Sequence, residues 1–243
     1  MKIYIITHKK VKTPKLDSIY QLLQVGASIN PQINNVLHDN EGSNISVLNK
    51  SYNELTGLYW IWKNVNEDIV GVCHYRRYFV KPFGKIRNLF GLSTKYFADK
   101  SYIISCMNNH HMIVHNKTFF KEGCEKQFLK TQRFPNDFEV VRKIIEEKHP
   151  EYLEDLERAL NQKSCHLLNV LIAKKEIFDS YCEWLFSILF SVEEYLKSSG
   201  ETNFERRLGM IGERLLDVWL LHNNLKIKEC FMVNTERKDW KFW

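Results

Sequence analysis

The stretch that most constrains this chain is Tyr52 to Phe79, YNELTGLYWIWKNVNEDIVGVCHYRRYF, because its hydrophobic period changes midway. Leu55, Leu58, Tyr59 and Trp62 recur at helical spacing, with Glu54 early and Lys63 late, as the helix dipole favours. Asn64 to Asp68 breaks the pattern, and Ile69-Val70-Gly71-Val72-Cys73 reads as a short buried strand. That strand runs into His74-Tyr75-Arg76-Arg77-Tyr78. In open α/β sheets ligands bind beyond the carboxyl ends of the strands, so this is where a site is expected. Two readings fit the residue types. One is an edge-strand terminus with solvated arginines and packing tyrosines. The other is an anion site, in which Arg76 and Arg77 offer forked donors to phosphate oxygens, Tyr75 and Tyr78 stack or donate, and His74 donates, accepts or ligates a metal.

Around this stretch the chain alternates between strand and helix signals. Lys2 to His8 opens as a strand ending in polar residues, where Thr7 and His8 either touch a nucleotide or form a plain solvated turn; the glycine-rich GxGxxG fingerprint is absent. Tyr20 to Asn49 reads as loop-rich, with Asp39 as a turn-former or a ligand for a ribose or metal, and with Asn49 or Ser51 as a cap for the following helix. Lys81 to Lys95 is basic and aromatic and reads as a lid or a membrane-facing flap. Ser101 to Met107 is expected to be helical and Met112 to Val114 a strand. The nearby His110, His111 and His115 do not make a chelate, because adjacent residues on a strand point to opposite faces. Phe138 to Leu160 is a charged helical stretch interrupted at His149-Pro150, Leu167 to Ile172 a short apolar strand with Asn169 as its one polar residue, and Glu176 starts a long amphipathic helix. Lys226 to Val233 reads as a final strand, followed by the basic-aromatic tail TERKDWKFW.

A second stretch carries chemistry: RRLGMIGERLLDVWL, Arg206 to Leu220. Gly209 and Gly212 are expected to form a turn and Glu213 to begin a helix, whose dipole would keep it ionised as a general base. An ordinary first-turn glutamate is the bland reading. Arg214 would steady Glu213 or contact an acceptor, and Asp217 is the rival carboxylate one turn on.

Charge and cysteines narrow the setting. A net charge of +6 fits a nucleotide-sugar, a phosphorylated acceptor, an anionic membrane surface or nucleic acid, although no nucleic-acid motif accompanies it. The six cysteines show no CxxC pair and no zinc spacing, which points to a reducing cytoplasm. Met1-Lys2 leads straight into a strand pattern, so no signal peptide is expected, and no apolar run reaches the length of a membrane span.

Taken together, LQVGAS (Leu23 to Ser28), the segment His38 to Asn49, YNELTGLYWIWKN, HYRRYF, LLNVLIAKKEIFDSYCEWLFSIL (Leu167 to Leu189) and RRLGMIGERLLDVWL resemble the DUF4422 family of bacterial polysaccharide-biosynthesis glycosyltransferases. The segments follow the family's order and span nearly the whole chain, with Val170-Leu171 standing where Met-Phe is usual. The resemblance implies a GT-A-like α/β fold in a single domain, 1–243, with a central, mostly parallel mixed sheet flanked by helices. A nucleotide-sugar half would occupy about 1–120 and an acceptor half about 121–243. It implies transfer of a hexose, galactofuranose or galactose, from a UDP-sugar to a lipid-linked glycan in capsule, exopolysaccharide or O-antigen synthesis, on the cytoplasmic face of the inner membrane. Thr7, His8, His74, Tyr75, Arg76 and Arg77 would hold the donor, Glu213 would act as base, and Asn169, Arg206 and Arg214 would meet the sugar or acceptor. No Asp-x-Asp stands at the expected strand end. The two arginines would therefore neutralise the diphosphate without a metal, with His74 and Asp39 as alternative ligands for Mn or Mg. The competing function is a non-catalytic binding module for anionic glycan or lipid headgroups.

Overall fold

In the computed structural model the described residues are 1–82, 94–131 and 134–236. Among them one nine-stranded sheet organises the chain, built from β1 (Lys2–Thr7), β2 (Tyr20–Gln24), β3 (Leu37–His38), β4 (Ile69–His74), β5 (Arg77–Phe79), β6 (Met112–His115), β9 (Leu171–Lys174), β10 (Ile227–Cys230) and β11 (Met232–Asn234). A separate ribbon pairs β7 (Thr118–Phe119) with β8 (Ser164–Cys165). The main order is β10-β6-β9-β4-β1-β2-β3. β1 lies parallel to both β2 and β4, β2 is parallel to β3, and β10 is parallel to β6, whereas β9 runs antiparallel between β4 and β6. The sheet is thus mostly parallel and mixed, as expected.

Period-2 alternation decides what each face buries. Tyr4 and Ile6 of β1, with Val70 and Val72 of β4, pack under a helical layer made of α1 (Asn49–Tyr52), α2 (Leu55–Asn64), α4 (Cys124–Thr131), α5 (Asp137–Lys148), α6 (Leu153–Asn161), α7 (Lys175–Ser198) and α8 (Arg207–His222). Ile3, Ile5 and Cys73 point to the opposite face, against α3 (Lys100–Met107) and the β5–β11 ribbon. Fully burying one such large apolar side chain contributes about 1.5–3 kcal/mol, so two filled faces fix the sheet in its layer. All six cysteines are free and buried, most of them as members of these apolar clusters.

Five local expectations need correction. The loop-rich stretch contains β2, whose sequence YQLLQ does not alternate but whose backbone pairs with β1 from Ile3↔Tyr20 to Thr7↔Gln24. HYRRYF is no edge-strand terminus: β4 is central, and the chain turns at Tyr75-Arg76 and returns as β5, with His74 paired to Arg77. Neither Asn49 nor Ser51 caps the helix; Asn49 begins α1, and Glu54 stands at the start of α2 without a side-chain cap. The strand at Leu167 to Ile172 starts only at Leu171, because Leu168 (φ 74) and Asn169 (φ 48) take the left-handed backbone region. Gly209 and Gly212 lie inside α8 rather than in a turn before it. A Cβ on Gly209 would stand 2.6 Å from Asn53 Nδ2 and 3.0 Å from Tyr52 O, so glycine there permits close contact between helix and turn rather than bending the chain.

Two expected basic-aromatic elements, the loop Lys81 to Lys95 and the tail after Glu236, fall largely on residues 83–93 and 237–243, outside the described residues. Among the described residues no helix is long and apolar enough to cross a membrane.

Candidate active site

A cleft of about 340 Å³ opens where the parallel strands β1 and β4 end, beneath the start of α8. The β4–β5 hairpin forms one wall. Tyr75 N donates to Ile6 O at 3.1 Å, Tyr78 Oη donates to Tyr75 O at 2.7 Å, and Thr235 N donates to Arg76 O at 2.8 Å, so the two-residue turn is tied on three sides. This rigid turn presents His74, Tyr75, Arg76 and Arg77 to the cleft together. Arg77 Nη1 donates to His74 Nδ1 at 3.3 Å, which assigns the remaining proton of the neutral ring to Nε2. Burial, with Arg77 and Arg76 close by, pushes the His74 pKa down to about 3, so the imidazole is uncharged at neutral pH. His74 Nε2, Arg76 Nε and Arg77 Nε have no hydrogen-bond partner among the described residues. Buried donors left unpaired cost stability, and a ligand rich in acceptor oxygens would satisfy them.

Arg76 is held differently from Arg77. It lies over the Tyr75 ring at 5.5 Å and pairs with Glu236 at 3.3 Å; Lys9 also lies over that ring and reaches Glu236 at 3.6 Å. These pairs are exposed, where an ion pair contributes little, so Arg76 and Lys9 can exchange Glu236 for an anion. His8 stands edge-on to Tyr75 with centroids 5.6 Å apart and lines the cleft. Burial first, then Lys9 and Arg76, lower its pKa. Thr7 is not in the cleft wall: its hydroxyl donates to Lys9 O at 2.6 Å and it shapes the turn that carries His8.

The opposite wall is acidic, and half of it escaped the sequence reading. Glu213 lines the cleft, and so does Glu54. Packing explains how they meet. Close contact at Gly209 seats α8 against the Asn53 turn, and Arg206 N donates to Lys50 O at 2.7 Å, so the chain from α1 to α2 is pressed to the head of α8. Glu54 follows Asn53 in that turn and Glu213 lies two helical turns into α8. Glu213 is therefore not at the helix end, and the expected dipole effect does not govern it. Burial, then the Glu54 carboxylate, push its pKa up to about 7, against the pull of Arg214, Arg206 and Arg77. Burial likewise raises Glu54, although Asn169 Nδ2 donates to its Oε1 at 2.8 Å. The one sequence signal for Glu54 was an acidic residue beside an aromatic helix, which is commonplace.

The remaining expected site residues divide. Arg206, in the left-handed region at φ 62, lines the cleft. Asn169 is buried behind it as the clamp on Glu54, and its Oδ1 has no hydrogen-bond partner among the described residues. Arg214 turns inward, bonded to Gln127 and lying over the Phe128 ring, with Nη1 3.8 Å from Glu213 Oε2. It reaches Glu213 but does not line the cleft. Asp39 is fully buried and accepts from Gly26 N, Ala27 N, Ser46 Oγ and Thr56 Oγ1, so it braces the turn after β2 against α2. With its lone pairs used in this way, and His74 facing a guanidinium, this pair does not fit a Mn or Mg site. The three neighbouring histidines do not converge: His110 bonds Cys106 O, His111 accepts from Lys226 N, and His115 accepts from Leu167 N at 2.8 Å. Among the described residues no group of three or more His, Cys, Asp or Glu side chains could hold a metal ion.

Comparison with known proteins bears on the family and the fold. A family model described as a domain of unknown function, DUF4422, matches residues 2–224. No curated protein matches the chain. Among solved structures, the apo structure of the WbbM bifunctional glycosyltransferase is similar with a TM-score of 0.81 and 26% identity, covering 97% of this chain and 45% of that one. The chain spans less than half the length of that enzyme.

Proposed function

Since the chain belongs to the DUF4422 family, we propose that it is a glycosyltransferase, a GT-A-like domain moving a hexose from a UDP-sugar to a hydroxyl of a lipid-linked glycan with inversion at the anomeric carbon. The observation that carries this reading is one cleft with a cationic wall, Arg76 and Arg77, facing an acidic wall that includes Glu213. The similarity to a bifunctional glycosyltransferase supports it.

The division of labour follows from the charges. Arg76 and Arg77 neutralise the diphosphate as it takes up negative charge on leaving, and the Nε2 proton of neutral His74 is a further donor to it. Their placement on a tied hairpin means little reorganisation is needed during the reaction. Glu213, once ionised, takes the proton of the acceptor hydroxyl while that oxygen forms the new bond to the anomeric carbon and the nucleoside diphosphate departs. Inversion needs this one base and no second nucleophile. A pKa near 7 suits the role, because a base works best when its pKa lies near the working pH. A module that merely bound anions would gain nothing from two half-buried carboxylates in its site, which disfavours the competing reading. The nucleotide-sugar half is assigned to about 1–120 and the acceptor half to about 121–243; galactofuranose or galactose is the proposed sugar, and the cytoplasmic face of the inner membrane the proposed setting.

The test is calorimetric titration with UDP, followed by release of UDP from a panel of UDP-sugars in the presence of a lipid-linked acceptor. Saturable UDP binding and acceptor-dependent release support the reading. Binding of anionic polymers or vesicles with no response to UDP would replace it with the binding-module reading.

A further inference from the structure

The cleft holds two carboxylates where the proposed chemistry asks for one base. Glu54 is held by Asn169, whose Nδ2 donates both to Glu54 Oε1 at 2.8 Å and to Gly209 O at 3.3 Å. The second contact sets the orientation of the amide, since only the nitrogen can donate to a carbonyl. Oε1 of Glu54 is thereby an acceptor, and Oε2 is the oxygen left to carry a proton. Asn169 itself is 1% exposed and sits in the left-handed region, as does Leu168 before it. An asparagine tolerates that backbone better than most residues, and here the strained segment delivers a buried amide to a carboxylate.

We propose that Glu54 and Glu213 form one proton-sharing pair, and that Glu54 is the positioning residue that sets the protonation of Glu213 and orients it toward the acceptor hydroxyl. This rests on the glycosyltransferase reading for its substrate, but not for the pairing itself. Two carboxylates facing one cleft cannot both ionise freely, because each charge opposes the other. With one proton between them, one carboxyl donates and the other accepts, which matches a neutral sugar hydroxyl better than either group alone. The charged groups that act on Glu213 are Glu54 from the α1–α2 turn, Arg77 from the hairpin, Arg206 at the head of α8 and Arg214 beside it within α8; Arg206 and Arg77 also act on Glu54. In the resting site the arginines disfavour a second proton on the pair and burial disfavours loss of the one it holds, so a second proton taken up in transfer is held only briefly. During transfer the ionised carboxyl gains the hydroxyl proton, and the pair returns one proton to water after the products leave.

The pairing can be read without activity. The protein labelled with ¹³C at glutamate carboxyls is titrated with acid and base, following Glu54 and Glu213, each assigned by its glutamine variant. Both carbons are expected to shift in the same two steps in the unmodified protein. In Glu213→Gln the Glu54 carbon is expected to titrate in one step, at a midpoint lower by at least about one pH unit, as removal of a like charge should produce; Glu54→Gln should do the same to Glu213. Independent single steps with midpoints unmoved in Glu213→Gln would overturn the pairing, and that arm decides even if Glu54→Gln does not fold. For the positioning role, the acid limb of kcat/KM should move to lower pH in Glu54→Gln and return in Glu54→Asp; a limb unmoved in Glu54→Gln overturns that role. Absence of UDP binding or transfer by the unmodified protein would instead count against the glycosyltransferase reading, leaving the titration to judge the pair.

Discussion

Helix α8 carries two carboxylates four residues apart that have opposite fates. Asp217 is buried and saturated: its Oδ2 accepts from His166 N at 2.8 Å, its Oδ1 from His166 Nδ1 at 2.6 Å, and Lys117 Nζ lies 3.4 Å away. His166 is fully buried, and its Nε2 lies 3.1 Å from Glu229 Oε1. Burial works against both charges, yet these hydrogen bonds outweigh it, lowering the Asp217 pKa and raising that of His166. Glu213 faces the cleft with Arg214 at 3.8 Å and with Glu54 opposing its charge, and its pKa rises. One turn of helix therefore separates a charge that is spent on holding the fold from a carboxyl that faces the cleft. Partners, and not distance along the helix, make that difference.

The sharpest way to break this contrast is to neutralise each carboxylate in turn. Glu213→Gln is expected to fold, to bind UDP and to lose about 100-fold to 10,000-fold in transfer, the usual worth of a general base. Arg77→Ala should follow with a loss of roughly 100-fold, equivalent to about 3 kcal/mol for a donor to developing charge, with melting nearly unchanged; unaltered turnover would place the diphosphate elsewhere. Asp217→Asn should do the reverse of Glu213→Gln. Breaking a buried pair costs about 3–5 kcal/mol because a charge is left uncompensated, so denaturant melts should show the loss while the folded fraction still transfers sugar. A folded but dead Asp217→Asn enzyme would invert the assignment.

Much of this was legible beforehand. The helix–strand switch from Leu55 to Cys73 and the long helix from Glu176 follow hydrophobic period, which the sheet and helical layer both obey. Arg76, Arg77, His74 and Glu213 stand out in the sequence because polar residues next to an apolar run are conspicuous, and the fold brings all four to the lining of one cleft. What failed depended on packing between distant segments. Glycine reads as a turn signal, which points to a loop at Gly209 and Gly212, whereas both lie in α8 and allow it to approach Asn53 and Leu55. Glu54 was hidden for the same reason: only that contact, 155 residues away in sequence by the numbering of Glu54 and Gly209, turns an unremarkable acid into a cleft residue. Asp39 looked like a surface turn because its four donors come from Gly26, Ala27, Ser46 and Thr56, which no local pattern links.

A smaller effect sharpens the contrast through stability. Glu213 has a folded pKa above its ordinary value, so the native state holds its proton longer than the unfolded chain. Its contribution is full below pH 4.5 and fades as pH rises through about 7. Asp217, lowered in the fold, behaves oppositely: its contribution is present above the ordinary carboxylate range and is lost as pH falls through its folded value. Melts across pH should therefore show the alkaline-side decline flattened in Glu213→Gln and the acid-side loss diminished in Asp217→Asn. Equal changes in the two variants would remove the distinction.

The most direct measurement is the pH dependence of kcat/KM for sugar transfer in the unmodified enzyme beside Glu213→Gln. The unmodified enzyme should gain rate with rising pH along an acid limb centred near 7, as Glu213 ionises, and the residual rate of Glu213→Gln should lack that limb. A flat profile in the unmodified enzyme, or the same limb persisting in Glu213→Gln, would contradict the assignment of Glu213 as the base.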